Sequence, residues 1–443
     1  MLSLTTEQIL SFAPDEASVK AARGLARPAK WATAGQNADV LWGECKGSAL
    51  YQVCADPAAP AFKCTCPSRK FPCKHVLALL LIATSQPDAV PAGEPPAWLN
   101  EWLAKREQAA HRKAARAAGA DGDLNPEQQA KRAAAKEKRG AERQRKVETG
   151  LEELERWLRD LIRQGLAHAQ QQPARYWDGM AERLWDAQAR GLANWLRELA
   201  SIPASGESWG ERLLGQLGSL YLLLEAYRRI DTLPEPLQAD IRARIGWSGQ
   251  ETDLSSDAWL RGQWLMVGQR SYEEEAMRVR RSWLWGRAHG RLALVLDFSY
   301  QTQPMAPIAA PGSWLEAELG FFPSAYPQRA LLRNAQVIEN QDMPSALADG
   351  AALLDEYATA LAQQPWLGVL AAAVAEVLPV RQESESGFLR DNAARLLPCH
   401  PSFNDYWRLL ACSGGIPLTV FGEWNGQYFW PLSAWRDGRF IAF

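Results

Sequence analysis

Three cysteines and one histidine fall within the twelve residues from Cys64 to His75, and this concentration of potential ligands is found nowhere else in the chain. Their spacing is Cys-x-Cys, six residues, then Cys-x-His. Thiolate sulfur and imidazole nitrogen are the ligands that four-coordinate zinc prefers. A site in which the protein supplies all four ligands leaves no position for a reacting water. The sequence therefore predicts one structural Zn²⁺ per chain, held by Cys64, Cys66, Cys73 and His75, and not a catalytic metal.

Three strands and a helix are expected to position these ligands. Residues 40–45 and 49–54 have the composition of strands, with a turn at Gly47-Ser48, and residues 62–64 form a third strand that delivers the first ligand. The run at 74–83 is too apolar to be exposed and too short to span a membrane, which predicts a buried helix with His75 on its first turn.

The spacing of the ligands, with a single residue between the two members of each pair, resembles that of the SWIM zinc finger. The resemblance covers about residues 39–84, from the Trp-Gly-Glu-Cys-Lys-Gly-Ser segment through the apolar helix, and implies that the four residues above are the zinc ligands. It also implies a DNA-binding or protein-interaction module, such as those appended to helicases, transposases and signalling enzymes. Bacterial SWIM-domain proteins of about this length further suggest an AAA-type ATPase as a partner.

Basic residues surround the ligands and recur in the segment that follows. Lys63, Arg69, Lys70 and Lys74 are candidates for contact with nucleic-acid phosphate. Residues 102–147 carry 13 Lys and Arg against 6 Asp and Glu, whereas the whole chain has a net charge of −2. Attraction to a polyanion would therefore act locally, although a solvated spacer has the same composition.

The composition is that of a globular protein. Of the 443 residues, 47% are hydrophobic and 23% charged, which suits two to four domains. The chain starts without a basic region followed by an apolar run, so a cytoplasmic protein with no membrane contact is expected. Cys45, Cys54, Cys399 and Cys412 are scattered, which indicates buried thiols in a reducing compartment and not disulfides.

The predicted fold class is multidomain α+β. Residues 1–96 form the zinc-finger domain of strands, knuckle and helix, and 97–147 are a basic connector, helical or disordered. An α-helical domain spans 148–289, with helices that include 151–165, 257–267 and 272–285 and with tryptophans in its core. A mixed α+β domain with antiparallel hairpins spans 290–443, and Asn425-Gly426 is a strong turn signal within it.

No stretch of the sequence predicts catalysis or a small-molecule substrate. The phosphate-loop pattern G-x-x-x-x-G-K-[ST] is absent, so the chain is not itself an ATPase motor. Asp297, the pair Glu316 and Glu318, and the neighbours Cys399 and His400 are the residues from which an active site could be assembled, but adjacency in sequence does not make a dyad. We therefore expect a non-catalytic binding protein. The alternatives are an adaptor that binds protein alone and, third, an enzyme.

Overall fold

The computed structural model describes residues 6–443 apart from 14, 39, 57–60, 69, 105–125, 207, 248, 250, 252–253, 275–276, 301–304, 306–307, 341 and 382–386. N-terminal strands are followed by a helical middle and by C-terminal sheets of mainly antiparallel strands, which is the predicted α+β class. Among the helices described, none is long and apolar enough to cross a bilayer.

The N-terminal module is one sheet with a helix buried against it. Its elements are α1 (Thr6–Ser11), α2 (Glu16–Leu25), β1 (Trp31–Gln36), β2 (Leu41–Lys46), β3 (Leu50–Asp56), β4 (Ala61–Cys64) and α3 (Lys74–Ser85). The strands pair antiparallel in the order β1-β2-β3-β4. Nine successive residues of α3, from His75 to Ala83, are buried, because the sheet covers one side of the helix and α1 and α2 lie against it.

A helical segment at 97–104 extends this module beyond the predicted boundary at residue 96. Its Leu99 is buried with Trp42 and Cys54 on the sheet face opposite α3. The predicted connector of residues 97–147 is therefore not one unit. Its first part packs on the zinc-finger sheet, residues 105–125 lie outside the described residues, and its last part belongs to a long helix.

The helical middle consists of α4 (Pro126–Gln164), α5 (Leu166–Gln171), α6 (Ala174–Asp186), α7 (Arg190–Leu199), α8 (Trp209–Arg228) and α9 (Glu235–Ile245). The predicted apolar stripe of α4 is confirmed, since Leu151, Leu154, Leu158 and Leu161 are buried in the bundle core. Gly165 ends the helix with φ at 86°, a conformation that glycine adopts without strain.

The prediction of helices at 257–267 and 272–285 is wrong. These residues form β5 (Trp259–Glu274) and β6 (Met277–Gly286), so the helical part ends at Ile245 and not at residue 289. The reason is burial on both faces of β6. Trp283 packs on the outside of the barrel and Leu284 on the inside. The apolar residues therefore do not alternate with polar ones, and this alternation is the pattern by which a half-exposed strand is recognised in a sequence.

These strands belong to a closed five-stranded barrel with β7 (Leu292–Tyr300), β8 (Trp314–Phe321) and β9 (Arg329–Ile338), in the order β5-β6-β7-β9-β8. Only β7 and β9 pair in parallel, which is the connectivity of an oligonucleotide- and oligosaccharide-binding (OB) barrel. Ligands of such barrels use the outer face of the second and third strands. Here the centre of that face is covered, because Trp283 and Leu294 pack with Phe421 and Leu432 of the next sheet.

The C-terminal sheet has the order β12-β11-β10-β13-β14-β15. Its elements are α10 (Gly350–Gln363), β10 (Leu370–Arg381), β11 (Gly387–Arg390), β12 (Leu396–Pro398), α11 (Tyr406–Ser413), β13 (Leu418–Trp424), β14 (Phe429–Arg436) and β15 (Arg439–Ala442). The predicted hairpin at Asn425-Gly426 is confirmed as the β13–β14 turn. The sheet also contacts the bundle, because Trp366 enters the bundle core and donates to the carbonyl of Ser219 at 3.0 Å.

Candidate metal centre

The four predicted ligands come from a strand end, a loop and a helix start. Cys64 is the last residue of β4, and Cys66 follows in the loop. Cys73 is the N-cap residue of α3, and His75 is the second residue of that helix. Their ligand atoms all lie within 4.8 Å of one another.

The distances fit a tetrahedral zinc ion. Zinc lies about 2.3 Å from sulfur and about 2.0 Å from imidazole nitrogen, which sets tetrahedron edges of about 3.5–3.8 Å. His75 Nδ1 is 3.7 Å from Cys64 Sγ and 3.8 Å from Cys73 Sγ. The residues present therefore fit one structural Zn²⁺, bound by three sulfurs and by Nδ1 of the histidine.

The three thiols lie close enough together to influence one another's ionisation. A hydrogen bond from Cys64 lowers the pKa of Cys73 to about 4, and the same bond raises the pKa of Cys64. Burial raises the pKa of Cys66. A bound divalent ion would favour the thiolate form of all three cysteines, because a coordinating thiol loses its proton outright.

Backbone hydrogen bonds hold the loop that carries Cys66. Thr65 N–H donates to the carbonyl of Gln52 at 3.0 Å, and Gln52 N–H donates to Thr65 Oγ1 at 3.0 Å. The N–H of Cys66 also points at Cys64 Sγ, at 3.5 Å. Such an N–H stabilises thiolate charge on the sulfur. The start of β3 therefore helps to orient both ligands of the first pair.

An aromatic side chain fixes the histidine. Tyr51 lies with its ring centroid 5.0 Å from that of His75, and the His75 side chain is buried. The Tyr51 hydroxyl is 2.6 Å from Ser48 Oγ. Gly47 is required in this turn, since a Cβ there would lie 2.7 Å from the Tyr51 ring. The turn predicted at Gly47-Ser48 thus also supports the metal site.

The structure separates the predicted basic candidates. Lys70 and Lys74 line one groove of about 460 Å³ beside Cys66 and His75. Lys63 pairs across the sheet with Cys54, which faces away from α3, so Lys63 lies on the opposite face. Arg69 lies outside the described residues.

The sequence reasoning missed one lining residue of this groove, Lys46, and one ion-pair partner of a lining residue, Asp15. Lys46, the last residue of β2, also lines the groove. Asp15 forms an ion pair with Lys70 at 2.6 Å and accepts a hydrogen bond from Ser18 N–H at the start of α2. The bond to Lys70 lowers the pKa of Asp15 to about 2. Lys46 directly precedes the turn at Gly47-Ser48, and this position was a signal that it lies near the ligands. Nothing in the sequence connects Asp15 with a lysine 55 positions later.

The described part of the basic segment of residues 102–147 includes residues 137–146 of α4, where some basic side chains have partners within the protein. Residues 137–146 of α4 are mostly exposed, and Lys146 pairs with Glu142 one helical turn earlier at 3.5 Å. Arg143 instead packs over the ring of Trp247 at 4.9 Å and donates to the carbonyl of Gly246 at 3.0 Å. Part of this positive charge therefore serves the bundle itself.

Comparison with known families identifies two parts of the chain. A model described as the SWIM zinc finger matches residues 63–83, which contain all four ligands. A model described as the SWIM-associated four-helix bundle domain matches residues 142–245, from within α4 to the end of α9. No curated protein and no solved structure matches the chain. The first match covers the ligand cluster, and the second covers most of the helical bundle.

Proposed function

Because this chain is a SWIM-domain protein, we propose that it acts by binding and not by catalysis, and that its finger binds nucleic acid through the groove beside the zinc. The observation that supports this is the lining of the groove. Lys46, Lys70 and Lys74 all contribute to it, and none of its described lining residues is acidic. Lysine ammonium groups held around a concave surface attract phosphate.

The net charge of the groove is small, which limits the number of phosphate contacts that it can make. A zinc ion with three thiolates and a neutral imidazole carries one net negative charge. Lys70 is compensated by Asp15, so Lys46 and Lys74 supply the excess positive charge. We therefore expect weak binding with few phosphate contacts and a correspondingly shallow dependence on salt concentration.

Charge variants in both directions test the proposal. Lys74→Gln removes one positive charge and should weaken binding, whereas Asp15→Asn releases Lys70 and should strengthen it. Each phosphate contact contributes about 0.7–0.9 to the slope of log K against log salt concentration. The measurement is fluorescence anisotropy of zinc-loaded protein with labelled single-stranded and duplex oligonucleotides at several salt concentrations.

Lys63→Gln is the matched control, since it makes the same change of charge on the opposite face of the sheet. It should leave affinity nearly unchanged. Equal effects of Lys63→Gln and Lys74→Gln would show attraction to the whole protein and reject the groove. Affinity no better than that of a neutral protein at low salt would reject nucleic-acid binding.

The absence of catalysis remains a proposal, and the surroundings of the alternative residues support it. Asp297 pairs with Arg280 at 3.0 Å, Glu316 with Arg261 at 3.0 Å and Glu318 with Arg333 at 2.9 Å. Burial raises the pKa of Cys399 to about 12, which makes its thiol a poor nucleophile. His400 accepts a hydrogen bond from Ser402 N–H through Nδ1 and is not aligned as a base for Cys399.

An adaptor that binds protein alone is the second candidate, and one face of α8 favours it. Leu214, Tyr221 and Leu222 lie within about two helical turns and are 53%, 39% and 50% exposed. A partner that co-purifies in stoichiometric amount after nuclease treatment, and that is lost in a Leu214→Gln/Leu222→Gln variant, would favour this function. An AAA-type ATPase is the class to look for first among such partners.

A further inference from the structure

Strand β10 has an unpaired stretch of main chain. On one side it pairs with β13 from Leu370 to Val377. On the other side it pairs with β11 only from Leu378 onward. Among the described residues, only the bridge from Leu347 to Val374 lies along this other side of the N-terminal half of β10, although the strand lies inside a six-stranded sheet.

A single short contact occupies part of this edge. Leu347 N–H donates to the carbonyl of Ala373, and Ala375 N–H donates to the carbonyl of Leu347, both at 2.8 Å. Main-chain groups alternate in direction along a strand, so the N–H of Ala373 and both polar groups of Ala371 point the same way. These groups have no hydrogen-bond partner elsewhere in the described chain.

The segment before Leu347 diverges from β10 and leaves a cleft. A cavity of about 470 Å³ lies here, between Ser345 on one side and Ala371 and Ala373 on the other. Its volume is within the range of about 300–1,000 Å³ that ligand pockets occupy. The side chains of Ala371 and Ala373, which share one face of β10, are small and occupy little of this space.

The charges of the cleft are balanced. Arg291 and Glu356 are its charged lining residues. The carboxylate of Glu356 accepts a hydrogen bond from Tyr326 Oη at 3.0 Å, and the Arg291 guanidinium lies 4.2 Å from the centroid of the Phe321 ring. With no excess of positive charge, the cleft does not suit a polyanion. Unpaired main-chain donors and acceptors suit another main chain.

We propose that this cleft binds an extended peptide segment of a partner protein, which adds as a strand to the free edge of β10. The peptide pairs with Ala371 and with the N–H of Ala373, and its side chains that face the cleft are small. Main-chain hydrogen bonds supply the affinity, as in other cases of strand addition. The site is independent of the zinc and of nucleic-acid binding.

Selection from a displayed library of random linear dodecapeptides on the full-length, zinc-loaded protein tests this proposal. Counter-selection uses Ser345→Trp, which fills the cleft from an exposed position. The matched control is Ala348→Trp, which adds the same side chain at an exposed position that does not line the cleft. Enriched peptides should bind the wild type and the Ala348→Trp protein alike, and Ser345→Trp at least about tenfold more weakly, as expected when one or two hydrogen bonds are lost.

Two further measurements do not depend on the variant folding. An enriched peptide with alternate backbone nitrogens methylated should lose about tenfold in affinity, because it cannot donate to the edge. The unmethylated peptide should slow hydrogen exchange at the amides of Ala371 and Ala373. Failure to enrich any peptide, insensitivity to methylation, or unchanged exchange at these amides would each overturn the proposal. Chelation of zinc should leave the binding intact.

Discussion

The zinc finger and the contact between the barrel and the C-terminal sheet stabilise charged groups in opposite ways. In the finger, four ligands from twelve consecutive residues converge on one point, and a zinc ion compensates the charge of the clustered thiolates. Where the barrel packs on the C-terminal sheet, the buried carboxylate of Glu423 on β13 accepts from Arg281 Nε at 2.7 Å and from Trp283 Nε1 at 2.8 Å. Arg270 Nη2 lies 3.0 Å from its other oxygen.

The difference is one of range along the chain. Trp283 and Glu423 are 140 residues apart, and they meet because the barrel packs on the C-terminal sheet. The finger depends on an ion from outside the chain. The barrel and the C-terminal sheet are instead held together by residues of the chain that lie far apart in sequence. We expect the two regions to respond independently to metal removal and to mutation.

The largest effect is expected from loss of the zinc ligands. Cys64→Ser/Cys73→Ser should abolish zinc binding and unfold the finger, because zinc binding contributes about 10–16 kcal/mol to folding in small finger domains. Mass-spectrometric metal analysis should fall from one zinc per chain, and limited proteolysis should cleave within residues 31–85. Cys412→Ser is the control, since that cysteine lies on α11 far from the ligands in sequence.

Cleavage that spreads into the bundle or the barrel after metal loss would contradict the independence of the regions. Full metal content in the double variant would contradict the site itself.

A smaller effect, confined to the barrel and its sheet, is expected from Glu423→Ala. The change leaves Arg281 and the Trp283 N–H without their acceptor, and loss of one member of a buried ion pair costs about 3–5 kcal/mol. Native-state hydrogen exchange in β6 and β13 measures this loss. Glu316→Ala breaks an exposed pair with Arg261 and should cost at most about 1 kcal/mol. Equal costs for the two variants would show that burial of Glu423 adds nothing.

The smallest effect is expected from Asp15→Asn, which removes the exposed charge pair of the finger and keeps a capping side chain. Solvent screens this pair, so the loss should be below about 1 kcal/mol. The pKa of Asp15 falls from 3.8 to about 2 on folding, so its contribution is fully present above pH 4 and disappears as pH falls from 4 to 2. Chemical unfolding of the zinc-loaded protein should show the same small difference at pH 6 and pH 8, and less in 1 M salt. A difference that grows between these pH values would assign it to another group.

Local patterns in the sequence were sufficient to predict the zinc finger. The ligand spacing, the turn at Gly47-Ser48 and the buried helix after Cys73 are all short-range features, and the structure confirms each of them. The hairpin at Asn425-Gly426 and the stripe of α4 were predicted for the same reason. In each case, residues a few positions apart determine the local geometry.

Long-range packing decided the rest. The strands at 259–286 were predicted as helices because the middle of β5 and most of β6 are buried on both faces, and pairing with β7 and β8 defines them as strands. The pairing of Lys70 with Asp15 and the position of Lys63 on the far face of the sheet follow from how α2 and β4 pack. The free edge of β10 depends on where β11 begins to pair. The sequence by itself determined which residues bind the zinc, because they are neighbours in the chain. Tertiary structure alone decided which charges and main-chain groups remain available to a partner, because that depends on contacts between residues far apart in sequence.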